Sequence, residues 1–197
     1  RLENLPKQIT VLFIASNPIK QNSLELDEEH RRISEEIRKS RYRNSVKLIG
    51  AWAARPNDLL SMINEFNPTI VHFSGHGTPT DKMIFQGNDV KPKLVDQEAI
   101  IQTINAAADD LRVVFLNSCY SENTAKAVVN YVEAAIGMNE SIGDEAARIF
   151  SAQFYSAIGF GKSVKNVFDR AKAALMLEGI QEENIPVLFL KDGVDGD

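Results

Sequence analysis

Two side chains in this sequence are of types that together could open an acyl bond. His76 stands between Gly75 and Gly77 at the end of V-H-F-S-G-H-G (71–77), and Cys119, the only cysteine, ends the run V-V-F-L-N-S-C-Y (113–120). A thiol activated by a nearby imidazole is a nucleophile paired with its base, the requirement of covalent acyl transfer. The flanking glycines remove bulk and let the backbone turn sharply beside a ligand. Each residue also has a plainer reading. His76 could be a turn histidine without a role, and an isolated cysteine is often a small buried hydrophobe. Ser118 and Ser121 beside the cysteine are rival nucleophiles, but a serine needs a stronger base arrangement than one histidine supplies. Of the other histidines, His72 lies mid-strand and reads as a buried core residue, and His30 reads as a packing residue on the apolar stripe of a helix. Asn17 and Asn117 read as turn residues near the mouth of the site.

The elements around these residues favour the paired reading. Each motif is a short apolar run ending in small polar residues, the pattern of a buried parallel strand that delivers a turn at its carboxyl end. In open α/β sheets that end lines the ligand crevice. Before them, I-T-V-L-F-I-A (9–15) is a central strand, and Ser23 to Ser40 is an amphipathic helix carrying Leu26, His30, Ile33 and Ile37. Its early acidic residues, Glu25, Asp27, Glu28 and Glu29, suit the positive end of the helix dipole. Val46 to Trp52 is a strand, and Pro56-Asn57-Asp58 opens a short helix that Asn67-Pro68 ends. Met83 to Gln86 and Val90 to Val95 read as a hairpin, with Pro92 keeping it at an edge. Asp96 is expected to cap a helix reaching about Ala108. Glu122 to Asn130 is the next helix and Val132 to Gly137 the next strand. A helix from about Ile142 to Ile158 stops at Gly159 and Gly161, and Ser163 caps a last helix closed by Gly179. Ile185 to Leu190 is the final strand. Such alternation implies a mostly parallel sheet covered on both faces, one domain over residues 1–197.

Composition narrows the function. The chain of 197 residues has 44% hydrophobic and 25% charged residues, ordinary for a globular α/β protein. Net charge −5 gives no electrostatic footprint for direct binding of nucleic acid. No apolar run approaches the roughly 20 residues that span a bilayer, and the opening R-L-E-N-L-P lacks a signal-peptide pattern. One cysteine excludes an internal disulfide and fits a reducing, cytoplasmic setting. The chain opens on Arg1 rather than Met, so the expectation is a piece of a longer protein.

With these residues in view, the sequence resembles a known family. V-H-F-S-G-H-G, V-V-F-L-N-S-C-Y-S and A-A-I-G-M-N-E-S-I-G-D-E-A-A-R-I-F-S-A-Q-F-Y (134–155) are similar to the CHAT domains, caspase-like cysteine peptidases related to separase and caspases. The likeness runs from the first strand to the closing V-L-F-L. It implies a three-layer α-β-α sandwich, caspase-like, with a mostly parallel six-stranded sheet and a small β-hairpin. It also implies a His76/Cys119 dyad, an oxyanion hole from the backbone N–H groups of Gly77 and Cys119, and no metal or organic cofactor. The caspase signature Q-A-C-x-G is absent, since N-S-C-Y-S stands in its place, so a preference for substrate Asp is not carried over.

The expected function is a cysteine endopeptidase acting on a protein substrate, a regulated effector of bacterial signalling or antiviral defence. The resemblance places its sensor or repeat module outside this chain. A catalytically silent caspase-like binding module is the alternative, and retention of both His76 and Cys119 counts against it. A small-molecule hydrolase or transferase fits less well, because no glycine-rich phosphate loop is present. Specificity is expected from the loop Gly137 to Asp144, whose Glu140 and Asp144 either attend a helix start or line the substrate pocket. The resemblance to separase matches Asp144, ahead of Glu140, to an acidic residue that meets a basic side chain. Cleavage after Arg or Lys follows, because a neutral side chain would leave a buried carboxylate unpaired.

Overall fold

The structure, a computed structural model, describes residues 8–18, 26–89, 91–107 and 109–196. In chain order the elements are β1 (Ile9–Ser16), α1 (Leu26–Lys39), β2 (Val46–Ala51), α2 (Pro56–Phe66), β3 (Ile70–Gly75), β4 (Met83–Gln86), β5 (Pro92–Val95), α3 (Gln97–Ala106), β6 (Val113–Asn117), α4 (Glu122–Val128), β7 (Ala134–Met138), α5 (Asp144–Gly159), α6 (Val164–Leu177) and β8 (Pro186–Leu190). Six strands form one sheet in the order β2-β1-β3-β6-β7-β8, and β4 and β5 pair separately as an antiparallel ribbon. All neighbours in the main sheet are parallel except β7 and β8. The exception has a simple cause. One helix crossing returns the chain to the start of the sheet, whereas α5 and α6 together return it to the opposite end.

Side-chain parity then divides the core. In β1, Val11, Phe13 and Ala15 join the cluster under α1, α5 and α6, while Leu12 and Ile14 join the cluster under α2, α3 and α4. The same alternation sends Phe115 of β6 to the first face and Val114 and Leu116 to the second. Because both faces are covered, the strands read as continuous apolar runs rather than alternating ones. Phe115 packs between Phe150 and Phe154 of α5, with ring centroids 5.7 and 5.2 Å away.

Several local expectations change. Asp96 occupies the N-cap position of α3 without a side-chain cap bond, because its carboxylate pairs with Lys82 Nζ at 2.8 Å. Gly159 is the last residue of α5 rather than the first beyond it, and a Cβ there would run into the Ser40 side chain just past the end of α1. Gly161, at φ +72°, makes the turn that follows. Gly179 at φ +72° and the Ser163 hydroxyl accepting from Asn166 N bound α6 as expected. Ser23 to Glu25 and Val90, assigned above to the first helix and the hairpin, lie outside the described residues.

Candidate active site

The pairing register of β3 and β6 sets the site. Ser74 lies opposite Asn117 in this parallel pair, so His76 and Cys119 each follow two residues beyond a matched position. They therefore leave the same end of neighbouring strands, whose axes run about 4.8 Å apart. The two turns touch through their backbones. A Cβ on Gly77 would collide with the Cys119 carbonyl oxygen and stand 2.6 Å from Ser118 Oγ, so glycine alone allows this approach. Gly75 is equally confined, its Cβ position lying 2.6 Å from Ser16 O of β1. Behind the His76 turn the ribbon gives support: Ile84 N donates to His76 O at 3.0 Å and Thr78 N to Lys82 O at 3.0 Å. His76, Gly77 and Cys119 remain partly exposed.

The rival serines are withdrawn from solvent. Ser118 and Ser121 are buried, and Ser121 Oγ staples its own turn, within 2.9 Å of Leu116 O and 2.7 Å of Ser118 O while accepting from Met138 N at 3.0 Å. Tyr120, directly after the cysteine, holds a left-handed φ of +57°. A non-glycine residue there costs on the order of 1–3 kcal/mol and persists only where its surroundings fix it. Here its amide donates to Glu140 O at 3.3 Å.

That bond brings in the third strand end. The loop after β7 lies against the cysteine, with Ser141 Oγ 3.4 Å from Cys119 Sγ. Nothing in the sequence separates Ser141 from its polar neighbours, and only the fold reveals its position. Gly143 N donates to Glu182 Oε2 at 2.7 Å, and Asn139 is held by Ile185 O and Asn184 O at 3.0 and 3.1 Å. Glu140 and Asp144 are exposed on this loop and at the first residue of α5. Neither caps the helix through its side chain: Gly143 is the N-cap residue and makes no side-chain bond.

Beneath the turns lies a polar cluster that the sequence reading missed. Glu29, assigned above to the dipole end of α1, is only 3% exposed. Its Oε1 accepts from Asn117 Nδ2 at 2.7 Å and Ser151 Oγ at 2.8 Å, and its Oε2 accepts from Ser74 Oγ at 2.5 Å. His72 Nε2 lies 3.2 Å from Oε1 but off the hydrogen-bonding line, so that contact is electrostatic rather than a well-formed bond. His72 Nδ1 meets Tyr155 Oη at 3.0 Å. His72 is thus a buried core residue, as expected, whereas Asn117 is no turn residue but the buried end of β6. Parity explains the gathering, because His72, Ser74 and Asn117 share the face of the sheet that α1 and α5 cover. A signal for Glu29 did exist: it falls three residues after Leu26 and four before Ile33, on the helix's buried stripe. His30, one position on, is half-buried between Phe13 and Trp52, at 5.3 and 5.2 Å. Burial lowers its pKa, against the pull of Asp27.

Among the described residues no group of three or more His, Cys, Asp or Glu is arranged to hold a metal, and no helix is long and apolar enough to cross a membrane. The folding pattern has known counterparts. A secreted cysteine protease of Bacteroides thetaiotaomicron, solved with an irreversible peptide inhibitor, superposes with a TM-score of 0.64 at 11% identity, covering 93% of this chain and 66% of that one. Caspase-1 of Spodoptera frugiperda superposes with a TM-score of 0.60 at 9% identity, covering 93% and 86%. The fold is therefore caspase-like. In sequence, a protein of Gillisia limnaea named "Probable protease" is 25% identical over 174 residues, which is 83% of this chain and 31% of that protein. A "Roc-COR-CHAT protease" from an unknown prokaryotic organism is 23% identical over 173 residues, 84% of this chain and 16% of that protein. This chain thus spans under a third of either relative. The CHAT domain model matches residues 3–184, from before β1 to just short of β8, and by that match the chain belongs to the CHAT domain family.

Proposed function

We propose that this chain is a cysteine endopeptidase in which His76 and Cys119 are the catalytic pair. The observation that carries the reading is the register Ser74 opposite Asn117, which launches both residues from one sheet end, together with the backbone contact of Gly77 on Cys119. His76 takes the proton of Cys119, and the thiolate attacks the scissile carbonyl carbon. Negative charge on the carbonyl oxygen is met by the amides of Gly77 and Cys119. In support, no backbone carbonyl of the described residues accepts from either amide. The intermediate collapses to a thioester as His76 returns the proton to the leaving amine, and water then releases the acyl group.

Cleavage after a basic residue is part of the proposal. Exposed Glu140 stands on the loop that touches Cys119 and exposed Asp144 on the first residue of the helix that follows, and acidic groups there favour Arg or Lys over acidic side chains. The relative whose name joins CHAT to Roc and COR supports a regulatory module elsewhere in the full protein; that this module makes the protein a signalling or defence effector in the cytoplasm is part of the proposal.

The test is hydrolysis of a peptide library by the wild type and by Cys119→Ala, His76→Ala and Asp144→Asn. The first two variants should fold and be inactive, the wild type should cut after Arg or Lys, and Asp144→Asn should weaken that preference. Iodoacetamide should inactivate the enzyme and a fluorophosphonate should not. Full activity in Cys119→Ala, or the reverse inhibitor pattern, would remove the dyad, and an unchanged preference in Asp144→Asn would leave Asp144 as a helix-start residue only.

A further inference from the structure

The buried carboxylate of Glu29 has no part in the bond-breaking steps above, yet it ties together the elements that carry them. We infer that Glu29 is a positioning residue for the catalytic pair, an inference that rests on the dyad reading. Each of its oxygens holds one of the two strand ends. Oε2 takes Ser74, two residues before His76, and Oε1 takes Asn117, two residues before Cys119. These two partners are also each other's match in the sheet. One carboxylate therefore bridges the last rung before both turns and fixes their relative height.

The same group reaches the third wall of the site. Oε1 also accepts from Ser151 of α5, the helix that begins at Asp144 directly after the loop carrying Ser141. On the solvent side, Arg32, one turn further along α1, meets Glu145 in the first turn of α5 at 3.1 Å, and Arg148 meets Glu145 at 2.6 Å. The His76 turn, the Cys119 turn and the Ser141 loop are thus all referenced to one rigid helix, α1. An apolar side chain at position 29 would fill space in this core, but it would leave Ser74, Asn117 and Ser151 without their buried acceptor. Burying a full charge among neutral donors gives up solvation that a leucine would not need, so stability alone is a weak reason for a glutamate here. Geometry is a better one. Charge-assisted bonds are short and directional, and reacting groups must be held within a fraction of an ångström of their productive positions.

The experiment compares the wild type, Glu29→Gln and His76→Ala in three measurements: kcat and KM on a peptide cleaved by the wild type, the rate of Cys119 alkylation by iodoacetamide, and the folded fraction. Gln keeps the volume and one acceptor but loses the charge and the second acceptor. The expected result for Glu29→Gln, per folded molecule, is a fall in kcat of about 10- to 100-fold with KM within about twofold, and an alkylation rate moved towards that of His76→Ala. If Glu29→Gln does not fold, Ser151→Ala takes its place. It removes one donor to Oε1 from α5, together with the longer bond its Oγ accepts from Asn117 Nδ2 at 3.3 Å, while leaving both bonds from the strands to the carboxylate in place. It should lower kcat several-fold in the same pattern. Wild-type kcat and alkylation per folded molecule in the tested variant would overturn the positioning role and leave the dyad standing. Equal alkylation rates in wild type and His76→Ala would remove the dyad itself, and the positioning role with it.

Discussion

Gly77 is the residue on which the approach of the two turns depends. It has no left-handed φ to require glycine, so its restriction is purely one of space: the Cys119 carbonyl and Ser118 Oγ occupy the volume a side chain would need. Gly77→Ala should therefore push the turns apart, destabilise the fold by about 1–3 kcal/mol as overpacking does, and abolish peptide hydrolysis. Denaturant unfolding and peptide assays on the same preparation check both, and an alanine variant as active as wild type would contradict the described contact. Cys119→Ala makes the contrast. The thiol is partly exposed and only borders the core, so its removal should change stability by no more than about 1 kcal/mol while eliminating activity.

At the scale of elements, β3, β6 and α5 are joined by an aromatic layer and a polar one. Phe115 at the centre of β6 is fully buried against His72, Phe150 and Phe154. Phe115→Ala should cost about 3–5 kcal/mol. Tyr155 of α5 supplies the polar link. Burial first, and the charge of Glu29 second, push its phenol well above 10, so it stays a donor throughout the working pH range. With Nε2 of His72 facing the carboxylate, Nδ1 is the nitrogen left to accept the Tyr155 hydroxyl. Tyr155→Phe leaves that nitrogen buried without a partner and should cost about 1–3 kcal/mol. Equilibrium unfolding in urea measures both variants. A Tyr155→Phe protein as stable as wild type would show that the phenol does not hold α5 to β3.

For the whole molecule, Glu29 shapes the response to acid. Burial is the largest single influence and pushes its carboxyl up, but the His72 imidazole and the Ser74 and Ser151 hydroxyls together outweigh it and hold it below the ordinary 4.5. A carboxyl depressed in the folded state contributes stability that is present above its unfolded value and lost as pH falls through its folded value. Stability should thus decline as the pH drops below about 4.5, and Glu29→Gln should flatten this acid limb. Glu28 and Glu145 are also lowered, by hydrogen bonds from Arg32 and Arg31 and from Arg148 and Arg32 respectively, but they sit at the surface, where ion pairs contribute little. Parallel acid limbs for wild type and Glu29→Gln, measured by thermal unfolding across pH 3–6, would assign the effect elsewhere.

What the sequence determined by itself was the order of strands and helices, the parallel sheet and the two turns that end in His76 and Cys119. Those features are written in local periodicity: continuous apolar runs for strands buried on both faces, stripes for helices, and small polar residues where strands end. Tertiary structure decided what depends on residues distant in the chain. Ser74 and Asn117 are 43 positions apart and meet only because β3 and β6 pair in one register. Glu29 reads as one of several acidic residues near a helix start, and only the docking of α1 on the sheet turns it inward to polar partners on β3, β6 and α5. Ser141 reaches the cysteine because β7 lies beside β6. The antiparallel β8 follows from two helices, rather than one, closing the chain back on the sheet. Periodicity records which face of an element is buried, but not what that face will meet.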